Sequence, residues 1–193
     1  MTKSKQVLIL AVLGAAALPA ATHAADLRGV FVAGFDTGGD KLLTVTFTDG
    51  SSDSIRANQG LYAGGGISVL TESKDIEFQT TLAIKYDGVS ASNGSATFTR
   101  IPLDALVFYR WEKVRVGAGL TYVMSPKVKT SGIPPTDLNV TLDNAVGGLV
   151  QADYLLGRVA IGLRYTALDY KFQGNTIKAS GVGITFGFTF GGS

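Results

Sequence analysis

The stretch SGVGITFGFTF, residues 180–190, alternates without a break. Val182, Ile184, Phe186, Phe188 and Phe190 are large and apolar, and Gly181, Gly183, Thr185, Gly187 and Thr189 lie between them. A β-strand sends successive side chains to opposite faces, so this segment carries one apolar face and one small, polar face. The apolar face has to be covered, by protein or by lipid.

The same period of two recurs back through the chain, in segments of about ten residues separated by turn chemistry. Residues 158–170 set Val159, Ile161, Leu163, Tyr165 and Ala167 against Ala160, Gly162, Arg164 and Thr166. Residues 141–154 set Val146, Val150, Ala152 and Tyr154 against Gly147, Gln151 and Asp153, and residues 113–125 oppose Val114, Val116, Ala118, Leu120, Tyr122 and Met124 to Arg115, Gly117, Gly119 and Thr121. Residues 98–109 alternate too, although Pro102 removes one ladder donor. The most regular segment, 75–86, carries Ile76, Phe78, Leu82, Ile84 and Tyr86 on one face and Glu77, Gln79, Thr81 and Lys85 on the other. Residues 59–70 and 27–35 complete a set of eight strands, and the last is expected to pair with the first.

The connections alternate in length. Short turns are expected at 71–74, 110–112 and 155–157. The longer ones are 36–58, the polar loops 87–97 and 126–140, and a medium link at 171–176. Within the first, Gly38-Gly39 reads as a bulge. Residues 41–58 read as a hairpin turning at Asp49-Gly50, projecting beyond the wall. Short turns at one end and longer loops at the other is the pattern of a membrane-spanning barrel, with both termini on the short-turn side.

The start of the chain has a different character. Lys3 and Lys5 precede the apolar run 7–18, and Pro19 with the small residues of 20–25 follows it. This is the pattern of a secretory signal peptide over residues 1–24, leaving 25–193 as one β-barrel domain. Removing Lys3 and Lys5 brings the 17 basic residues level with the 15 acidic ones, and no basic run suggests nucleic acid as a partner. There is no cysteine, and the one histidine, His23, lies inside the leader.

Alternation alone leaves the direction of the apolar face open, and an exported lipocalin-like soluble barrel also alternates. Three features favour lipid. The polar faces are rich in Gly, Ser, Thr and Ala instead of Lys and Glu. Tyr86, Tyr109, Trp111, Tyr122, Tyr154, Tyr165, Phe188 and Phe190 fall near strand ends, where interfacial girdles sit. The segments are also long enough to cross a tilted bilayer path. The expected fold is therefore an all-β, eight-stranded antiparallel up-and-down transmembrane barrel. Its lumen receives Arg28, Glu77, Lys85, Arg100, Asp104, Arg115, Asp153 and Arg164. Eight strands leave an interior just wide enough for side chains, so these charges are expected to pair as a structural plug or, alternatively, to line a narrow gated path for small solutes.

The leader, the eight alternating strands, the turn pattern and the Phe186-x-Phe188-x-Phe190 ending resemble the small Gram-negative outer-membrane barrels. These include the transmembrane domain of outer membrane protein A, its adhesin-like relatives and the OmpW-type barrels. The resemblance covers residues 25–193 by architecture. It implies location in the cell outer membrane and insertion by the barrel-assembly machinery; no periplasmic peptidoglycan-binding domain is expected after the barrel. The barrel is expected to be monomeric in lipid, with a surface ligand engaged through its extracellular loops.

No catalytic, cofactor or metal site is expected. Barrel lipases, deacylases and proteases use a histidine base, and none remains after residue 24. Zinc lacks both cysteine and histidine ligands. The acidic loop positions Asp36, Asp40, Asp49 and Asp53 read at most as a weak Ca²⁺ set.

Overall fold

Because glycine and threonine alternate with branched and aromatic residues, the strands can curl tightly around a crowded interior. The computed structural model describes residues 26–46, 52–91, 94–132 and 139–192. The leader at 1–24, the Asp49-Gly50 turn and Pro134-Pro135 lie outside the described residues. In chain order the strands are β1 (Asp26–Gly38), β2 (Lys41–Thr46), β3 (Ser52–Arg56), β4 (Gly60–Leu70), β5 (Ile76–Ala91), β6 (Gly94–Trp111), β7 (Val114–Ser131), β8 (Asn139–Thr141), β9 (Ala145–Leu156), β10 (Val159–Ala167), β11 (Asp169–Phe172), β12 (Asn175–Lys178) and β13 (Gly181–Phe190). Eight of them form a ring, β6-β5-β4-β1-β13-β10-β9-β7, which β6 closes by pairing with β7. All eight pairings are antiparallel. The barrel therefore has no free edge in the wall, the one arrangement of strands that satisfies backbone groups in hydrocarbon.

The stretch 180–190 makes the seam. β13 pairs with β1 from Gly29↔Phe190 to Gly38↔Gly181, and on its other side with β10. Its Phe and Ile side chains point outward beside Phe31, Phe35, Ile161 and Leu163, all well exposed. The large polar inward residues in the middle of the wall are buried, among them Ser68, Glu77, Gln79, Arg115, Thr121, Asp153 and Thr185. The molecule is inside out relative to a soluble domain, with charge in the middle and Leu, Ile, Val and Phe outside.

Two aromatic belts bound that apolar band. Tyr109, Trp111, Tyr154, Phe188 and Phe190 lie toward the short turns, and Phe35, Tyr86 and Tyr165 toward the long connections, all substantially exposed. The wall strands run from 9 residues (β10) to 18 (β6 and β7), long enough for a tilted strand to cross a bilayer. Leu163, 67% exposed, lies at the middle of β10. Leu163→Arg is expected to destabilise the barrel in lipid vesicles by about 2–4 kcal/mol, read from urea unfolding. No loss would place that face in water.

The structure corrects several expectations at the long-connection end. Residues 87–97 are not a polar loop: β5 and β6 continue their ladder through Val89↔Ala96 to Ala91↔Gly94. Small and hydroxylated residues hide a strand whose inward positions, Val89, Ala96 and Phe98, remain apolar. The described residues of 126–140 are likewise mostly strand, since β7 pairs with β6 as far as Ser95↔Ser131 and β8 adds to β7. Wall strand β9 accordingly begins at Ala145 instead of at residue 141. The medium link is a second hairpin, β11–β12, turning at Gln173 and Gly174, whose φ angles are 49° and 82°. Gly38-Gly39 is a corner, not a bulge. β1 keeps its register to Gly38, and then both glycines take positive φ, 120° and 80°, to start β2.

The hairpin β2–β3 forms a separate two-stranded sheet, but it does not project freely. Ile55 and Ala57 are fully buried among Val89, Ala96, Phe98, Val123, Leu168, Tyr170 and Ala179. Both hairpins and the overhanging parts of β5, β6 and β7 thus share an apolar core that caps the long-connection mouth. Burial pushes the Tyr170 phenol up to about 12, so it serves there as a neutral aromatic.

Candidate functional site: the charged lumen

Below the cap the lumen holds two clusters of charge. The one nearer the short turns centres on Arg115, a β7 residue only 3% exposed. Its Nη1 donates to Glu77 Oε1 at 2.6 Å and its Nε to Asp153 Oδ2 at 2.7 Å. Glu77 also accepts from the Ser68 hydroxyl and from Arg110 Nη1, both at 2.6 Å. Gln151 Nε2 donates to both Asp153 oxygens at 3.0 Å. Both carboxylates are thus met by several donors, as burial demands. The Arg115 guanidinium lies 4.1 Å from the Phe108 ring centroid, and Gly117 makes room for that ring: a Cβ there would meet Phe108 Cγ at 2.8 Å.

The second cluster lies under the cap. Lys85 Nζ donates to Asp36 Oδ2 at 2.6 Å and to Asn58 Oδ1 at 3.0 Å. Arg164 Nη2 donates to Asp104 Oδ2 at 2.8 Å. Arg100 donates to the Gln59 carbonyl and stacks 4.2 Å over Phe98. Gly183 accommodates Asp36, whose Cγ would lie 2.8 Å from a Cβ built at that glycine.

Of the eight candidate lumen charges, Glu77, Arg115 and Asp153 meet in the first cluster. Lys85, Arg100, Asp104 and Arg164 line one cavity in the second. Arg28 stands apart at the short-turn mouth, paired with Asp26 two residues away. Two of the partners lie in segments that read from sequence as connections, Asp36 in 36–58 and Arg110 in 110–112. Parity finds both: Asp36 continues the inward series Val30, Val32, Gly34, and Arg110 continues Asp104, Leu106, Phe108. Among the described residues the weak Ca²⁺ set does not assemble. Asp36 is committed to Lys85, Asp40 accepts from the Lys178 amide at 2.8 Å, Asp53 accepts from the Ser54 amide at 2.7 Å, and Asp49 lies outside the described residues.

Between and within the clusters little space is left. Leu106, Phe108 and Leu149 pack across the lumen between them. Cavities of about 30 Å³ at the upper cluster, about 10 Å³ at mid-height and about 20 Å³ near the short-turn mouth are the size of one to a few waters.

No protein-family profile matches the chain, and no curated protein does. Among solved structures it is similar to Neisserial surface protein A, with a TM-score of 0.46 and 13% identity over 88% of this chain and 99% of that one. It is similar also to the N-terminal β-barrel domain of Pseudomonas aeruginosa OprF, with a TM-score of 0.45 and 14% identity over 86% and 99%. An outer membrane channel from Pseudomonas putida F1 is a weaker match, at 0.29 and 12% over 89% and 99%.

Proposed function

We propose that this chain is a closed barrel of a Gram-negative outer membrane, exported by the leader at 1–24 and inserted by the barrel-assembly machinery. Its role is structural or surface-interacting, not catalytic and not conductive. The observation that carries this reading is the double closure of the lumen. Paired charges fill it at two levels, and the apolar core around Phe98, Ile55 and Tyr170 covers the long-connection mouth. A solute would have to break buried ion pairs and part a packed apolar core. What remains accessible to a surface ligand is the outer rim of the two hairpins and the β5–β6–β7 overhang.

The test is conductance of the refolded protein in planar bilayers, with a gel shift between unboiled and boiled samples confirming the folded barrel. The expected result is no steady open level at moderate voltage. A steady conductance that changes when Arg115 or Arg164 is replaced would overturn the closed reading and install the narrow-channel alternative.

A further inference from the structure

Two lysines stand where β7 leaves the apolar band. Its outward residues Val114, Val116, Ala118, Leu120, Tyr122 and Met124 cover a stretch long enough for a tilted strand to cross a bilayer. By alternation from Arg115, Lys127 and Lys129 belong to the inward series and would enter the apolar cap. A bulge prevents it. Ser125 and Pro126 together stand opposite Arg100 of β6, and Ser125 takes a φ of 49°. Asn144 pins the bulge: its Oδ1 accepts from the Ser125 amide at 2.9 Å, and its Nδ2 donates to the Tyr122 hydroxyl at 3.0 Å. Such a bulge costs backbone strain and re-aims the side chains that follow it. Here it sends Val128 and Thr130 inward and turns Lys127 and Lys129 out.

The strand registers set these lysines into two rows. Tyr86, Thr99, Lys127 and Thr141 form one across β5, β6, β7 and β8, and Gly88, Thr97, Lys129 and Asn139 form the next. Val89, Phe98, Val128 and Val140 pack into the cap, so both rows face away from the barrel axis. Neighbours within a row are about 5 Å apart, and the rows are about 7 Å apart along the strands. The Tyr86 ring leans across Gly88, where a Cβ would meet its hydroxyl at 2.6 Å. The face thus offers ammonium, hydroxyl and amide groups, and among the described residues neither lysine makes an ion pair. Of the acidic residues near in sequence, Asp143 lies past the end of β8 and Asp137 outside the described residues. The second hairpin differs: Lys178 faces Asp169 across its ladder, and its amide donates to Asp40.

A face turned sideways directly beyond the apolar band meets lipid headgroups before it meets a soluble partner. Cations there attract phosphate, and the flanking hydroxyl and amide groups suit phosphate oxygens and sugar. We propose that Thr97, Thr99, Lys127, Lys129, Asn139 and Thr141 hold the headgroup of a phosphorylated glycolipid in the leaflet at the long-connection end, with the bulge at Ser125 aiming the site. The inference rests on the reading of the chain as a membrane barrel.

Native mass spectrometry of the refolded barrel in detergent micelles provides the test, with diphosphoryl lipid A as the probe and phosphatidylethanolamine as the comparison. The native protein is expected to retain lipid A in preference. Replacing both lysines, Lys127→Ala with Lys129→Ala, is expected to weaken lipid A binding by about tenfold. Lys127→Arg with Lys129→Arg is expected to keep it, and so is Lys171→Ala with Lys178→Ala on the second hairpin. Equal retention of the two lipids by the native protein would overturn the proposal. So would an equal loss in the two double-alanine variants, which is the behaviour of net charge alone, or displacement of lipid A by millimolar inorganic phosphate, which is that of a free-phosphate site. Migration of unboiled samples separates the two readings. A folded barrel without lipid A preference sinks the lipid site and leaves the closed barrel standing, whereas a chain with no heat-modifiable form would overturn the barrel itself.

Discussion

Arg115→Ala is expected to destabilise the refolded barrel by about 3–5 kcal/mol, measured as urea unfolding in detergent micelles or vesicles. The size follows from what the substitution leaves behind. Glu77 and Asp153 are buried to 1% and 3% exposure, and each takes a direct bond from Arg115. Without the guanidinium, Asp153 retains Gln151 alone among the described residues, while Glu77 keeps Ser68 and Arg110. Two carboxylates at one level of a crowded lumen then repel one another. A control separates charge from packing. The triple variant Glu77→Gln, Arg115→Met, Asp153→Asn removes the three buried charges, leaves Arg110 with its side chain 20% exposed to water, preserves most of the volume and is expected to recover most of the loss. A cost below about 1 kcal/mol for Arg115→Ala would be the behaviour of a solvated pair and would mean that water reaches this level.

The other large effect concerns the cap. Phe98 is fully buried, packs edge-on to Tyr170 with centroids 6.1 Å apart, and carries the Arg100 guanidinium on its face. Phe98→Ala is expected to remove about 3–5 kcal/mol of local stability, because its large side chain leaves a cavity between elements that cannot all collapse onto it. The loss should be confined to the long-connection end. The wall ladders have their own backbone bonds, whereas β2–β3 and β11–β12 form separate two-stranded sheets held to the barrel mainly by this core. Limited proteolysis across a urea series is the measurement. Cleavage in the β2–β3 hairpin is expected at lower urea than in the native protein, while the folded wall still migrates faster before boiling. Equal protection of the hairpin would show that something other than Phe98 anchors it. Phe98→Leu, with its smaller volume change, is expected to cost less.

These two sites differ in how far the sequence revealed them. Arg115, Glu77 and Asp153 were legible as inward residues, because each falls on the Gly/Thr/Gln face of a strongly alternating segment. That they meet at one height was not legible. It depends on the registers β7↔β9 (Arg115↔Asp153) and β4↔β5 (Ser68↔Gln79), and on the curvature that brings β5 opposite β7 across the lumen. The cap was invisible for a different reason. Its members come from segments such as Gly88–Ser90 and Ser95–Thr97 whose polar content reads as loop, and its apolar residues are single positions scattered from Ile55 to Ala179.

The sequence by itself determined the wall. A period of two, repeated eight times with Gly, Ser and Thr on one face and aromatics near the strand ends, favours a closed sheet with its apolar side outward, since backbone groups in lipid must pair within the chain and charges must leave the hydrocarbon. Residues 180–190 carry that information in its purest form. The tertiary structure decided the lumen. Which cation takes which carboxylate and how two hairpins fold inward over the mouth depend on distances across the barrel, and a side chain's neighbours across a closed ring are set by register and strand number, which no local pattern contains.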